Sequence, residues 1–154
     1  MQKILVSACL LGDKVRYNAE IMLCDHPLLK LWKQQGRLVK VCPEVAGGLP
    51  VPRPAAEQQP DGSIRTHANI DVTEAFALGA ACAAKLAESH HIRFALLKAR
   101  SPSCGSGQVY DGSFQGRLIA GDGMTAARLR DLGVQLFDET QLEQLAEALN
   151  TNEG

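Results

Sequence analysis

Short apolar segments that alternate with helical patterns constrain the fold of this chain more than any other feature. Each segment has the length of a buried strand, and the four of them span residues 3–8, 38–41, 94–97 and 134–137. The stretches between them carry apolar residues at helical spacing and begin with capping or proline signals. This alternation predicts an α/β fold in a single domain, with a Rossmann-like, open and mostly parallel sheet flanked by helices.

Cysteines follow three of the predicted strands. Cys9 comes after the first strand, Cys42 after the second, and Cys104 lies in a Ser/Gly-rich loop after the third. Because the carboxyl ends of parallel strands share one edge, where ligands bind, these cysteines can meet in space. Cys24 precedes a predicted helix and Cys82 lies within one, so we expect both of them only to pack.

Composition narrows the class of protein and of partner. The 154 residues are most simply one domain over residues 1–150, with a frayed tail at 151–154. A net charge of -1, from 16 basic and 17 acidic residues, favours a small polar ligand over a nucleic-acid polymer or a membrane surface. The first residues lack a secretory pattern, which predicts a cytoplasmic protein. Its five cysteines would then stay reduced and available for metal binding or chemistry.

Several connecting segments carry further signals. The Pro/Gly-rich stretch 43–66 exceeds the roughly 12 to 15 residues of an ordinary connection, which predicts an ordered active-site loop. The glycines in 121–123 precede a predicted helix and offer a possible phosphate or carboxylate site. Asp71 and Glu74 have the spacing of a helix capping box, and residues 109–116 contain an Asp-Gly turn signal.

Seven short motifs occur in order along nearly the whole chain. They are Val6-Ser-Ala-Cys-Leu-Leu-Gly12, Val15-Arg-Tyr17, Cys42-Pro-Glu44, Gly47-Gly-Leu-Pro50 with Pro52-Arg53, Asp71-Val-Thr73, Ser101-Pro-Ser-Cys-Gly105 and Tyr110-Asp-Gly112. Together they resemble a bacterial family that was long catalogued as a domain of unknown function and is associated with thiouracil desulfidases.

The resemblance implies an iron–sulfur enzyme. In this sequence its [4Fe-4S] cluster would be held by Cys9, Cys42 and Cys104, with the fourth iron left open. The implied reaction removes sulfur from a thiolated uracil as sulfide and leaves uracil. Glu44 matches the acidic position of the Cys-Pro-Glu motif and Ser101 the first serine of the Ser-Pro-Ser-Cys motif, and these are the implied catalytic side chains.

Elementary chemistry supports the same residues in part. Cysteine thiolates are the usual ligands of iron–sulfur clusters, and three protein ligands leave an open position, as catalytic metal centres require. A thiocarbonyl sulfur is soft and suits an open iron, which as a Lewis acid would draw electrons from the C–S bond. Water activated by Glu44, two residues from Cys42, could then attack the carbon.

Substrate contacts are assigned to Arg53 and Ser103. Arg53 follows a Gly-Gly-Leu-Pro-Val-Pro stretch and is the best candidate for an anionic group of the substrate. Ser103 lies in the Cys104 loop, where it donates either to substrate or only within the loop. Lys98 and Arg16 are expected to be ordinary surface charges.

Alternatives of other classes remain open at this point. The cysteines could hold zinc or a cluster in a non-catalytic structural or sensing module. A cysteine phosphatase is a weaker alternative, because an arginine should close its phosphate loop six positions after the cysteine and position 110 is a tyrosine. The position of the sulfur on the ring, the choice between free base and nucleotide, and the oligomeric state are not readable from the sequence.

Overall fold

The computed structural model describes residues 2–13 and 26–153. Cys24, Arg16 and the motif around Val15 and Tyr17 lie outside the described residues. The strands are β1 Ile4–Ser7, β2 Leu38–Val41, β3 Ala56–Gln58, β4 Ile64–Thr66, β5 Phe94–Leu97, β6 Gln108–Tyr110, β7 Leu118–Ala120 and β8 Gln135–Asp138. The α-helices are α1 Pro27–Gln34, α2 Pro43–Ala46, α3 Thr73–Ser89, α4 Met124–Asp131 and α5 Leu142–Glu153, and a 3-10 turn spans Ala8–Leu10.

A parallel sheet of four strands, in the order β2-β1-β5-β8, forms the centre of the fold. The predicted α/β architecture is therefore confirmed. Both central strands are buried on each face, which explains why they appear in the sequence as continuous apolar runs. The strand order reverses between β1 and β5, and in open α/β sheets a ligand crevice lies at such a point.

Two apolar layers cover the faces of this sheet. On one face α3 and α4 pack against Leu5, Ala95 and Leu97. On the other, α1 and α5 pack against Ile4, Val6 and Leu96. Within the part of the chain that the structure describes, no helix has the length and apolar character needed to cross a membrane.

The Pro/Gly-rich stretch 43–66 is ordered, as expected, but it is not a simple loop. It contains helix α2 and the antiparallel hairpin β3–β4, in which Glu57 faces Arg65 across the register. The expected turn over 109–116 is also found, because β6 and β7 pair on either side of it. Both hairpins lie outside the parallel sheet.

The start of helix α3 differs from the prediction. Asp71 is not its N-cap: the cap is Val72, and Asp71 Oδ1 accepts the N–H of Thr73 at 2.9 Å. The reason is a long-range contact that the capping pattern cannot show. Val72 N donates to the carbonyl oxygen of Ile64, and Thr73 Oγ1 accepts the Ile64 N–H at 2.8 Å. Strand β4 thus fixes where α3 begins.

Candidate active site

A cavity of about 510 Å³ lies at the carboxyl edge of the parallel sheet. Cys9 reaches it from the 3-10 turn after β1, Cys42 from the N-cap of α2 after β2, and Cys104 from the loop after β5. The structure therefore brings together the cysteines that follow the three strands. Glu44, Arg53 and Ser101 line the same cavity.

The thiols of Cys104 and Cys42 are held in a medium that disfavours their ionised form. Burial is the main cause that raises the pKa of the Cys104 thiol. The nearby charges of Glu44, Cys9 and Cys42 raise this pKa further, and a hydrogen bond from Ser7 lowers it. Burial likewise raises the pKa of Cys42, opposed chiefly by the backbone N–H of Val45. A cation placed between these sulfurs would displace their protons, because it supplies the charge that the cavity lacks.

The loop that carries Cys104 is fastened to the start of helix α4. The N–H groups of Gly123, Met124 and Thr125 donate to the carbonyl oxygens of Gly105, Pro102 and Ser103, at 2.6, 2.9 and 2.9 Å. The prediction of a possible phosphate or carboxylate site at residues 121–123 is therefore wrong. The N–H groups that would bind a phosphate are already used, and their partners fix the position of Cys104.

Glycine is required where this loop touches α4. A Cβ on Gly123 would lie 2.5 Å from the carbonyl oxygen of Ser103, which is closer than any real contact. From the other side, Gln58 Nε2 donates to the carbonyl oxygens of Pro102 and Asp122, at 3.3 and 3.1 Å. The Cys104 loop is thus held between α4 and the β3–β4 hairpin.

Glu44 lies at the centre of a small polar network. Its Oε2 accepts hydrogen bonds from Arg53 Nε at 2.9 Å and from Arg53 Nη2, and its Oε1 accepts the hydroxyl of Ser101 at 3.4 Å. The Ser101 Oγ in turn accepts the N–H groups of Ser103 and Cys104, each at 3.1 Å. The base candidate and the loop of Cys104 are therefore joined through one hydroxyl.

Arg53 is engaged inside the protein. Its side chain is only 5% exposed, and besides the pair with Glu44 its Nη1 donates to the carbonyl oxygen of Pro50 at 3.1 Å. This arrangement makes Arg53 a partner of Glu44. The expected contact of Arg53 with an anionic group of the substrate stays a prediction.

Ser103 is not brought into the cavity. It is fully buried, and its hydroxyl pairs with the hydroxyl of Thr125 at 2.7 Å. Of the two roles left open for Ser103, the structure favours the one within the loop. Cys82 also departs from expectation: it is exposed on α3, since the buried face of that helix holds Phe76, Gly79, Ala80 and Ala83.

Sequence reasoning missed several residues that line the cavity. Lys98, expected to be an ordinary surface charge, instead lines the cavity and forms an ion pair with Glu139 at 2.8 Å. Glu57 on β3 and Phe114 between β6 and β7 also line the cavity. Only the position of Lys98 directly after a buried strand could have signalled its place, because Glu57 and Phe114 reach the cavity through contacts distant in sequence.

Helix α2, which follows Cys42 and carries Glu44, is seated on α3 through glycine. A Cβ on Gly79 would lie 1.9 Å from the carbonyl oxygen of Pro43, and one on Gly47 would lie 2.0 Å from that of Ala75. Only glycine permits so close an approach of the two backbones. Within residues 2–13 and 26–153, no group of three or more His, Cys, Asp or Glu side chains is arranged to hold a single metal ion.

Comparison with known proteins places this chain in a family. The sequence profile described as 2-thiouracil desulfurase matches residues 4–141. The uncharacterized protein YbbK of Bacillus subtilis (strain 168) is 36% identical over 151 residues, which is 92% of this chain and 99% of that protein. A solved structure of the [4Fe-4S]-dependent thiouracil desulfidase TudS is 49% identical, with a TM-score of 0.95 over 98% of this chain and 99% of that one. The chain belongs to the 2-thiouracil desulfurase family.

Proposed function

We propose that this protein is a [4Fe-4S]-dependent desulfidase that hydrolyses the C–S bond of a thiolated uracil. The observation that carries the proposal is that Cys9, Cys42 and Cys104 line the same cavity as the hydrogen-bonded Glu44 and Ser101. Family membership and the 49% identity to a [4Fe-4S]-dependent thiouracil desulfidase support it.

The donor set suits an iron–sulfur cluster. Three thiols come from three separate elements, so they can surround a group larger than a single ion, and thiolates are the usual ligands of such clusters. Cys104 and Cys42 would hold such a group as thiolates, which its positive charge would stabilise in place of their protons. With three protein ligands the cluster would supply an open iron, which acts as a Lewis acid on the soft thiocarbonyl sulfur.

The proposed reaction is a hydrolysis without net redox change. One thiouracil and one water give uracil and hydrogen sulfide. A C–O bond forms at the ring carbon, the C–S bond breaks, and the two protons of water finish on sulfur. No other reactant is needed to balance this equation.

Glu44 is the proposed base. Its Oε2 is occupied by Arg53, so Oε1 is the atom that takes the proton of the attacking water. A contact of 3.4 Å between Ser101 Oγ and Oε1 is long for an O–H···O bond, which is usually about 2.7 to 2.8 Å. We propose that the attacking water is oriented by Ser101 and deprotonated by Glu44, while Arg53 holds the carboxylate in place.

The substrate is proposed to be a small molecule: 2- or 4-thiouracil, or 4-thiouridine monophosphate. Assays should therefore include all three compounds. The first experiment is the iron, zinc and acid-labile sulfide content of protein purified without oxygen and reconstituted. About four irons and four sulfides per chain, followed by release of sulfide from a thiolated uracil, is the expected result.

The control for this experiment is Cys82→Ser, because Cys82 is exposed on α3 and does not line the cavity. This variant should load and react as the unmodified protein does, whereas Cys104→Ser should do neither. Zinc in place of iron, or a loaded cluster with no release of sulfide, contradicts the proposal and supports a non-catalytic metal-binding module.

A further inference from the structure

Phe114 is an aromatic side chain that lines the cavity from an unusual backbone position. It lies in the turn between β6 and β7, is half-buried, and has φ 60, a left-handed conformation that bulky residues rarely adopt. A residue held in such a conformation is a candidate for function, because the surrounding structure must enforce it.

Glu57 holds the backbone of this turn. Its Oε1 accepts the N–H of Gly112 at 3.0 Å and the N–H of Phe114 at 3.2 Å. These two hydrogen bonds tie the turn, at Gly112 and at Phe114, to strand β3, which lies far away in sequence. Like Phe114, Glu57 lines the cavity.

Other residues in and beside the β3–β4 hairpin also hold the turn between β6 and β7. Gln59 Nε2 donates to the carbonyl oxygen of Gly112 at 3.2 Å, and a Cβ on Gly112 would lie 2.7 Å from the carbonyl oxygen of Gln58. The ring of Phe114 also meets His67 edge to face, with ring centroids 5.2 Å apart and planes at 81°. Its orientation is therefore set from both the backbone and the ring.

We propose that Phe114 is a specificity-determining residue, on which the planar ring of the substrate stacks, and that Glu57 is its positioning residue. The inference rests on the proposed function, since it takes a pyrimidine ring as the occupant of the cavity. Phe114 lines the cavity and carries an apolar ring, and stacking on an aromatic side chain binds the flat face of a nucleobase.

The test compares two ligands that share a polar edge and differ in ring shape. Uracil is planar and aromatic, whereas 5,6-dihydrouracil keeps the imide edge but is puckered and lacks a conjugated face. Calorimetric titration of the reconstituted protein should show tighter binding of uracil. In Phe114→Leu the ratio of the two affinities should fall toward one, and in Phe114→Tyr, which keeps the ring, it should be retained.

Kinetics separate stacking from a general loss of structure. With thiouracil as substrate, Phe114→Leu should raise KM roughly tenfold, the size typical of a lost base–aromatic contact, and leave kcat within about twofold. The matched control is Phe137→Leu on β8, because Phe137 packs in the layer formed with α1 and α5, away from the cavity lining. That control should not change KM.

Two substitutions of Glu57 test whether its carboxylate positions Phe114. Glu57→Gln keeps an oxygen that can accept both N–H groups, so its KM and its uracil preference should stay close to those of the unmodified protein. Glu57→Leu removes the acceptor and should reproduce the raised KM of Phe114→Leu.

Different results contradict the proposed function, the stacking role of Phe114 and the positioning role of Glu57. No sulfide release by the unmodified protein contradicts the proposed function. Release of sulfide with the same KM and the same uracil preference in the unmodified protein and in Phe114→Leu overturns the stacking role. A raised KM in Glu57→Gln equal to that in Glu57→Leu overturns the positioning role of the carboxylate.

Discussion

Replacement of Gly79 by alanine tests how the cavity depends on the seating of α2 on α3. The new Cβ would lie 1.9 Å from the carbonyl oxygen of Pro43 and 2.5 Å from its carbonyl carbon. Both are backbone atoms, which cannot rotate away as the end of a long side chain can. An ordinary contact begins at 3.4 Å, so the backbones must separate by about 1.5 Å.

A displacement of α2 would also move residues that are proposed to take part in the reaction. Helix α2 begins directly after Cys42 and carries Glu44, so both move with it. A misplacement of about 1 Å can cost about 100-fold in rate. We therefore expect Gly79→Ala to lower kcat/KM at least tenfold, and overpacking of this kind to reduce the free energy of unfolding by about 1 to 3 kcal/mol.

The assay combines thermal unfolding, iron content and sulfide release from thiouracil. Cys82→Ala on the same helix is the matched control, since its side chain is exposed and its loss leaves the contact with α2 intact. A Gly79→Ala protein with the melting temperature and kcat/KM of the control would refute the argument that this glycine sets the position of α2.

Three further predictions concern the thiols and the base. Each of the variants Cys9→Ser, Cys42→Ser and Cys104→Ser should fail to load the cluster, measured as iron per chain. A variant that retains its iron removes that cysteine from the ligand set. Glu44→Gln should keep its iron and lose about 100-fold or more in kcat, as removal of a general base typically does, and sulfide release at the normal rate excludes Glu44 as the base. In metal-free protein, burial raises the pKa of Cys104 above its ordinary value of 9.0, so above pH 9 the thiol ionises in the unfolded chain and stays protonated in the folded one. The free energy of unfolding should therefore fall as pH rises above 9, with a slope of up to about 1.4 kcal/mol per pH unit from this group. Chemical unfolding at several pH values checks this, and an equal slope in Cys104→Ala contradicts it.

The parallel sheet was predictable from the sequence because its strands are buried on both faces. Such strands are continuous apolar runs, and the observed bounds of β1, β2, β5 and β8 differ from the expected ones by one residue at most. The meeting of the three cysteines followed from the same argument, because the ends of parallel strands share an edge.

The features that were not predicted from the sequence depend on contacts between distant segments. The N–H groups before helix α4 looked available for an anion, yet carbonyl oxygens of the Cys104 loop occupy them. The same holds for Glu57, whose partners Gly112 and Phe114 lie more than fifty positions away. The pairing of Arg53 with Glu44 likewise depends on how the 43–66 stretch folds back on itself. No local pattern encodes these contacts.

Hydrolysis of the C–S bond is tested directly by turnover of a thiolated uracil in H₂¹⁸O by the anaerobically reconstituted protein. Hydrolysis of the C–S bond predicts one atom of ¹⁸O in each uracil formed, with one hydrogen sulfide released for each. Mass spectrometry of the uracil and a sulfide assay read the two quantities from one reaction. Uracil without the label, or no uracil and no sulfide from a fully loaded protein, would contradict a hydrolytic desulfidase.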